Sequence, residues 1–121
     1  MMNNNILVKC PSNSGVDIAK VVVLTNKALK KKSLSGCEVS IIFVGRKKAK
    51  ELNIKFRQKD YIPQVLGFPM SMVRDADGLM RLGDIVVCTQ KLKYEAIFQN
   101  KTQEQIMEEW LLHGVENLMI Q

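Results

Sequence analysis

The sequence predicts an α/β (α+β) fold: a single compact domain with an about four-stranded sheet covered by helices, in the order β-α-β-α-β-β-α-α. Three observations carry this. The runs Val39-Ser40-Ile41-Ile42-Phe43-Val44 and Ile85-Val86-Val87-Cys88 are apolar on both faces, as buried strands are. Apolar residues at helical spacing fill the segments between and after them. A chain of 121 residues suits one domain with a substantial core, and it shows no repeat, low-complexity tract or linker.

Each element has a local reason. Ile6-Leu7-Val8 is a short apolar run ahead of Pro11, suited to a first or edge strand. Ser14 with Asp17 resembles a helix capping box, and Ile18, Val21, Val22, Ala28 and Leu29 give one helix face from Asp17 to about Lys32. Lys30, Lys31 and Lys32 sit at its end, where cations suit the helix dipole. Glu38 to Val44 is the clearest strand and reads as central, and Gly45 ends it. From Arg46 to Gln58, Ala49, Leu52, Asn53 and Phe56 share a helix face, with Pro63 closing the segment. Gln64 to Met70 and Leu82 to Cys88 read as a strand hairpin around a polar loop holding Asp75, Asp77 and Gly78. Lys91 to Phe98 is a short helix. Thr102 with Gln105 caps the last helix, whose core face carries Ile106, Trp110, Leu111 and Leu118. Gly114 costs that helix about 1 kcal/mol relative to alanine, a cost usually tolerated for close packing or close approach of another group. Fraying is expected past it because the segment that would normally follow and pack over it is missing.

Composition narrows the function classes. No window approaches the ~18 apolar residues of a membrane span, and the start carries no secretory pattern. Cys10, Cys37 and Cys88 are odd in number and scattered, which favours reduced thiols and a cytoplasmic location. The net charge of +6 is lopsided. Residues 1–60 hold 13 Lys/Arg against 4 Asp/Glu, a balance of +9, and residues 61–121 hold 5 against 8, a balance of −3. A basic half of this kind suits phosphate-backbone binding; a plain solvated surface is the alternative.

The chemistry-bearing candidates are few. His113 is the single histidine. A metal partner on the same helix face must lie three or four residues away, which leaves Glu116 and Asn117. A packed, hydrogen-bonded histidine is the bland reading. Arg57 is one of many basic residues around 46–59 and reads first as a solvated side chain. Asp84 opens a buried strand and suits a turn cap or a basic partner.

Taken in order, these segments resemble a known family. Val39 to Val44, Leu52-Asn53 with Arg57, Val65-Leu66-Gly67-Phe68-Pro69, Leu82-Gly83-Asp84-Ile85-Val86-Val87-Cys88 with Gln90, Glu95 and Ala96, and His113-Gly114 follow one another as in the YbeY family. The resemblance spans residues 36–118. These are bacterial rRNA maturation factors, described as metal-dependent, single-strand-specific endoribonucleases. The resemblance implies a compact α/β fold and a zinc ion held by three histidines.

His113 matches the first ligand. The second falls at Leu118 when counted literally and at Asn117 on the His-Gly-x-Leu-His spacing, which is the spacing adopted here. The third falls beyond Gln121, so the expectation is one YbeY-like domain, 1–121, lacking the family's C-terminal end. Arg57 matches an arginine that acts on the RNA phosphate, with Lys47, Lys48, Lys55 and Lys59 as further RNA-binding candidates. Pro63 and Gln64 stand where the family has Thr and Asp or Asn, and Gly67 where it has Ser. The implied partners are single-stranded or ribosomal RNA and the small ribosomal subunit, in rRNA processing and ribosome quality control, with no membrane. The incomplete ligand set predicts impaired cleavage. The alternatives are a non-catalytic RNA- or ribosome-binding protein, or a basic protein-interaction module.

Overall fold

The elements fall in the order read from the sequence: β1 (Asn5–Lys9), α1 (Ile18–Lys31), β2 (Cys37–Val44), α2 (Arg46–Arg57), β3 (Val65–Pro69), β4 (Met80–Cys88), α3 (Thr89–Phe98) and α4 (Gln103–Leu118). The structure, a computed structural model, describes residues 3–120. The four strands make one sheet in the order β1-β2-β4-β3. β1 and β4 flank β2 in parallel, and β3 pairs antiparallel with β4 as the predicted hairpin. β2 is therefore central, which explains its apolar character on both faces.

The two faces of the sheet are covered unequally. Cys37, Val39, Ile41 and Phe43 of β2 and Leu82, Ile85 and Val87 of β4 point into the core. There they meet Val21, Leu24, Ala28 and Leu29 of α1, Leu92 and Ala96 of α3, and Ile106, Trp110, Leu111, Val115 and Leu118 of α4. On the opposite face, α2 brings Leu52 and Phe56 over Ile42, Val44 and Val86. Leu7 of β1 is left exposed.

Caps fix the helix starts. Asp17 alone caps α1, accepting from Lys20 N at 3.2 Å. The expected Ser14–Asp17 box does not form, because the Ser14 hydroxyl accepts from Val16 N in a local turn. Thr102 and Gln105 form the full reciprocal box on α4.

Helix α4 does not stop at Gly114. It runs on to Leu118, and Val115 and Leu118 are fully buried. The last turn packs on the core where the sequence predicts fraying, and Gly114 makes the close approach that a glycine at this place suggests. A Cβ there would lie 2.8 Å from Ile85 Cγ2, too close for a real contact. Close docking on β4 then buries the last turn. Gly83 has a different job. It sits beside a register shift in the β2–β4 ladder with φ of 135°, and a Cβ would run into the Phe68 carbonyl.

Candidate functional site

At the outer edge of β3, a cleft of 410 Å³ opens between the end of α2 and the last turns of α4. Its walls are Arg57, Val65, Leu66, Gly67, His113, Asn117 and Ile120. The topology thus joins Arg57 and His113, which are 56 positions apart in the sequence. It adds Asn117 one helical turn beyond His113.

Arg57 is held from behind. Its Nη1 donates to Asn53 Oδ1 at 3.3 Å, one turn earlier on α2. Asn53 is fully buried, and its Nδ2 donates to the Tyr61 carbonyl at 2.9 Å. The amide therefore ties the helix to the loop that follows it and leaves the rest of the guanidinium free for the cleft. Asn53 is the site residue whose role sequence reading missed. Its spacing of four from Arg57 was the available signal.

On the other wall, His113 is exposed and Asn117 is partly buried. Glu116 lies elsewhere. Its carboxylate is 3.6 Å from Lys32 Nζ at the end of α1, and it is not part of the cleft wall. Glu116 is thus not brought beside His113 at the cleft wall. Among the described residues no group of three His, Cys, Asp or Glu side chains is placed to hold a metal ion. One imidazole and one neutral amide do not fit zinc, which takes at least three protein ligands even in an open site. Gly67 fits the cleft tightly: a Cβ there would lie 2.9 Å from Asn117 Cβ. Pro63 and Gln64 are not among the lining residues; the Gln64 carbonyl instead accepts from Cys88 N at 3.0 Å.

The lysine candidates spread around the cleft rather than into it. Lys47, Lys48, Lys55 and Lys59 are all exposed. Lys55 Nζ sits 5.2 Å from the Phe56 ring centroid, and Lys48 borders the sheet groove on the far side of α2. Lys55 and Lys59 lie within two residues of Arg57 in sequence, whereas Lys47 and Lys48 stand in the first turn of α2. Asp84 takes neither role read for it. Its side chain makes no hydrogen bond or ion pair among the described residues, and it lines that same groove.

A second charged cluster is structural. Arg81 reaches Glu38, Asp75 and Asp77, and Arg74 donates to the carbonyls of Ser35, Gly36 and Gly78. These contacts pin the loop between β3 and β4. Hydrogen bonding from Arg81 holds the Asp77 carboxyl down to about 2. The cysteines are all free, and burial pushes the Cys37 thiol up, which keeps it protonated. Among the described residues no helix is long and apolar enough to cross a membrane.

Comparison with known proteins places this architecture. Residues 9–119 match the family model described as Endoribonuclease YbeY. An Endoribonuclease YbeY of Thermodesulfovibrio yellowstonii is 37% identical over 81 residues, covering 67% of this chain and 50% of that protein. One from Wigglesworthia glossinidia brevipalpis is 37% identical over 82 residues, 68% of this chain and 53% of the relative. The Myxococcus xanthus protein is 29% identical over 98% of this chain and 41% of its own length. The chain thus spans about half the length of the curated relatives it matches. The solution structure of a Thermotoga maritima protein superposes with a TM-score of 0.60 at 28% identity, covering 93% of this chain and 71% of the other. With a family match over residues 9–119 and a fold shared with the Thermotoga protein, the chain belongs to the YbeY family.

Proposed function

We propose that this chain binds single-stranded RNA in the β3-edge cleft, as a YbeY-type endoribonuclease of ribosomal RNA maturation whose own cleavage is weak. The observation that carries the reading is the convergence of Arg57, His113 and Asn117 on one open cleft beside a cationic helix. Arg57 is permanently charged and presents a planar fork that matches a phosphate. The Asn53 bond fixes its direction, so little side-chain freedom is lost on binding. The exposed lysines of α2 attract the backbone without reading sequence, which suits a single-strand binder.

Weak cleavage follows from the donor set. The resemblance assigns a zinc ion to this site, and His113 with Asn117 does not make a zinc site. What the chain's own residues can do is hold a phosphate at Arg57 and hold or release one proton at the His113 imidazole. The cytoplasm and the small ribosomal subunit are the setting that this reading implies.

The test is a titration of the chain with a labelled ribosomal RNA fragment, single-stranded and then annealed, followed by a cleavage assay. The reading expects binding that favours the single strand and little cleavage. Equal affinity for the duplex, or no binding, contradicts it.

A further inference from the structure

On the far side of α2 lies a second concavity of 370 Å³, lined by Ile42, Val44, Lys48, Leu52, Phe56, Phe68, Asp84 and Val86. That volume lies in the range of small-ligand clefts. Three features set it apart from an ordinary apolar groove. Phe56 and Phe68 meet edge to face at 5.3 Å, and Phe56 remains 53% exposed, so aromatic surface is open to a ligand. Asp84 sits partly buried in the sheet floor, and among the described residues nothing hydrogen-bonds or ion-pairs with its carboxylate. Lys48 stands at the rim as the cation. A carboxylate in such a place accepts hydrogen bonds and offers none.

The groove and the cleft are lined by chain-adjacent residues. Phe56 precedes Arg57 on α2, and Phe68 follows Gly67 on β3. One residue of each pair faces the groove and the other lines the cleft. Successive residues of a β-strand point to opposite faces, so an RNA strand whose phosphate lies on Arg57 would turn one base round the β3 edge to reach the groove.

We propose that the groove is a nucleobase subsite that takes one unpaired base of the bound RNA, stacked on the Phe56–Phe68 pair with its donor edge on Asp84 and a neighbouring phosphate on Lys48. The inference rests on the RNA reading of the cleft and goes further by naming a base. A guanine offers two parallel N–H donors from its N1 and N2, which match the two oxygens of a carboxylate. Adenine and cytosine offer an amino group alone. Uracil sets its one N–H between two carbonyls, which face the carboxylate unfavourably. The subsite therefore prefers guanine and rejects uracil.

The test uses fluorescence anisotropy with single-stranded RNA decamers, oligo-U and oligo-U carrying one central guanine, on the full chain. The expected result is a guanine preference of about fivefold or more, the scale of one good bidentate base contact. Asp84→Asn keeps the shape but offers one acceptor and one amide donor, and should reduce that preference to near parity. Phe68→Leu should weaken the guanine decamer several-fold with the fold intact by circular dichroism. Wild-type binding with no guanine preference, or a preference that survives Asp84→Asn, overturns the subsite alone. Binding indifferent to both variants does the same, and turns the face over to a protein partner. Failure to bind any RNA overturns the subsite together with the RNA reading of the cleft.

Discussion

Gly67 and Asn117 are in closer contact than any side chain at position 67 would permit, because a Cβ there would lie 2.9 Å from Asn117 Cβ. The strand and the helix that wall the cleft are therefore fitted to each other. Restoring the serine that the family resemblance places at 67 should push α4 outward. Gly67→Ser is expected to cost about 1–3 kcal/mol, the usual range for overpacking. Chemical denaturation of the variant beside the wild type measures it, and unchanged stability would show that α4 shifts freely.

The Asn53 amide serves two partners, Arg57 and the Tyr61 carbonyl. Asn53→Ala should destabilise the fold by about 1–3 kcal/mol, since it removes both hydrogen bonds of a fully buried side chain. It should also weaken RNA binding, because Arg57 loses its anchor. Restored binding in Asn53→Asp, where the acceptor for Arg57 is kept, would separate positioning from stability. Wild-type affinity in the alanine variant would contradict the positioning role.

Acid should loosen the loop between β3 and β4. Asp77 is held at about 2, below its ordinary 3.8, chiefly by hydrogen bonding from Arg81. A lowered carboxyl contributes stability above its unfolded value and loses it as pH falls through the folded one. The Lys27 ion pair lowers Glu108 in the same direction. Melting temperature should therefore drop between about pH 4 and pH 2, and Asp77→Asn should flatten that drop. Identical pH profiles would count against the Arg81 cluster as the cause.

The chain should retain no zinc after dialysis against metal-free buffer, since His113 and Asn117 fall short of a ligand set. His113→Ala should change neither metal content nor, to any large degree, RNA affinity. Elemental analysis showing close to one zinc per chain, lost in the variant, would reveal ligands beyond those described.

Much of this architecture was legible in the sequence, for identifiable reasons. The β2 and β4 runs are apolar on both faces, and Thr102 with Gln105 spells a complete cap, so the element order could be read directly. The resemblance also selected Arg57 and His113, which the fold brings to one cleft. What stayed hidden depends on docking geometry. Gly114 suggested a close approach, but its partner, Ile85, is fixed only by how α4 docks on β4. Glu116 is at the right spacing for His113, yet α1 places Lys32 where it draws the carboxylate away. Asp84 looked structural because a buried strand start usually needs its acid. The groove that it lines forms only once α2 has packed on the sheet.

The central claim is that Arg57 receives RNA phosphate in this cleft. Its most direct test is the salt dependence of single-stranded RNA affinity for wild type and Arg57→Ala. The account expects wild-type affinity to fall steeply with salt, and the variant to bind about tenfold or more weakly with a shallower slope. Equal affinities and slopes for the two proteins would contradict it.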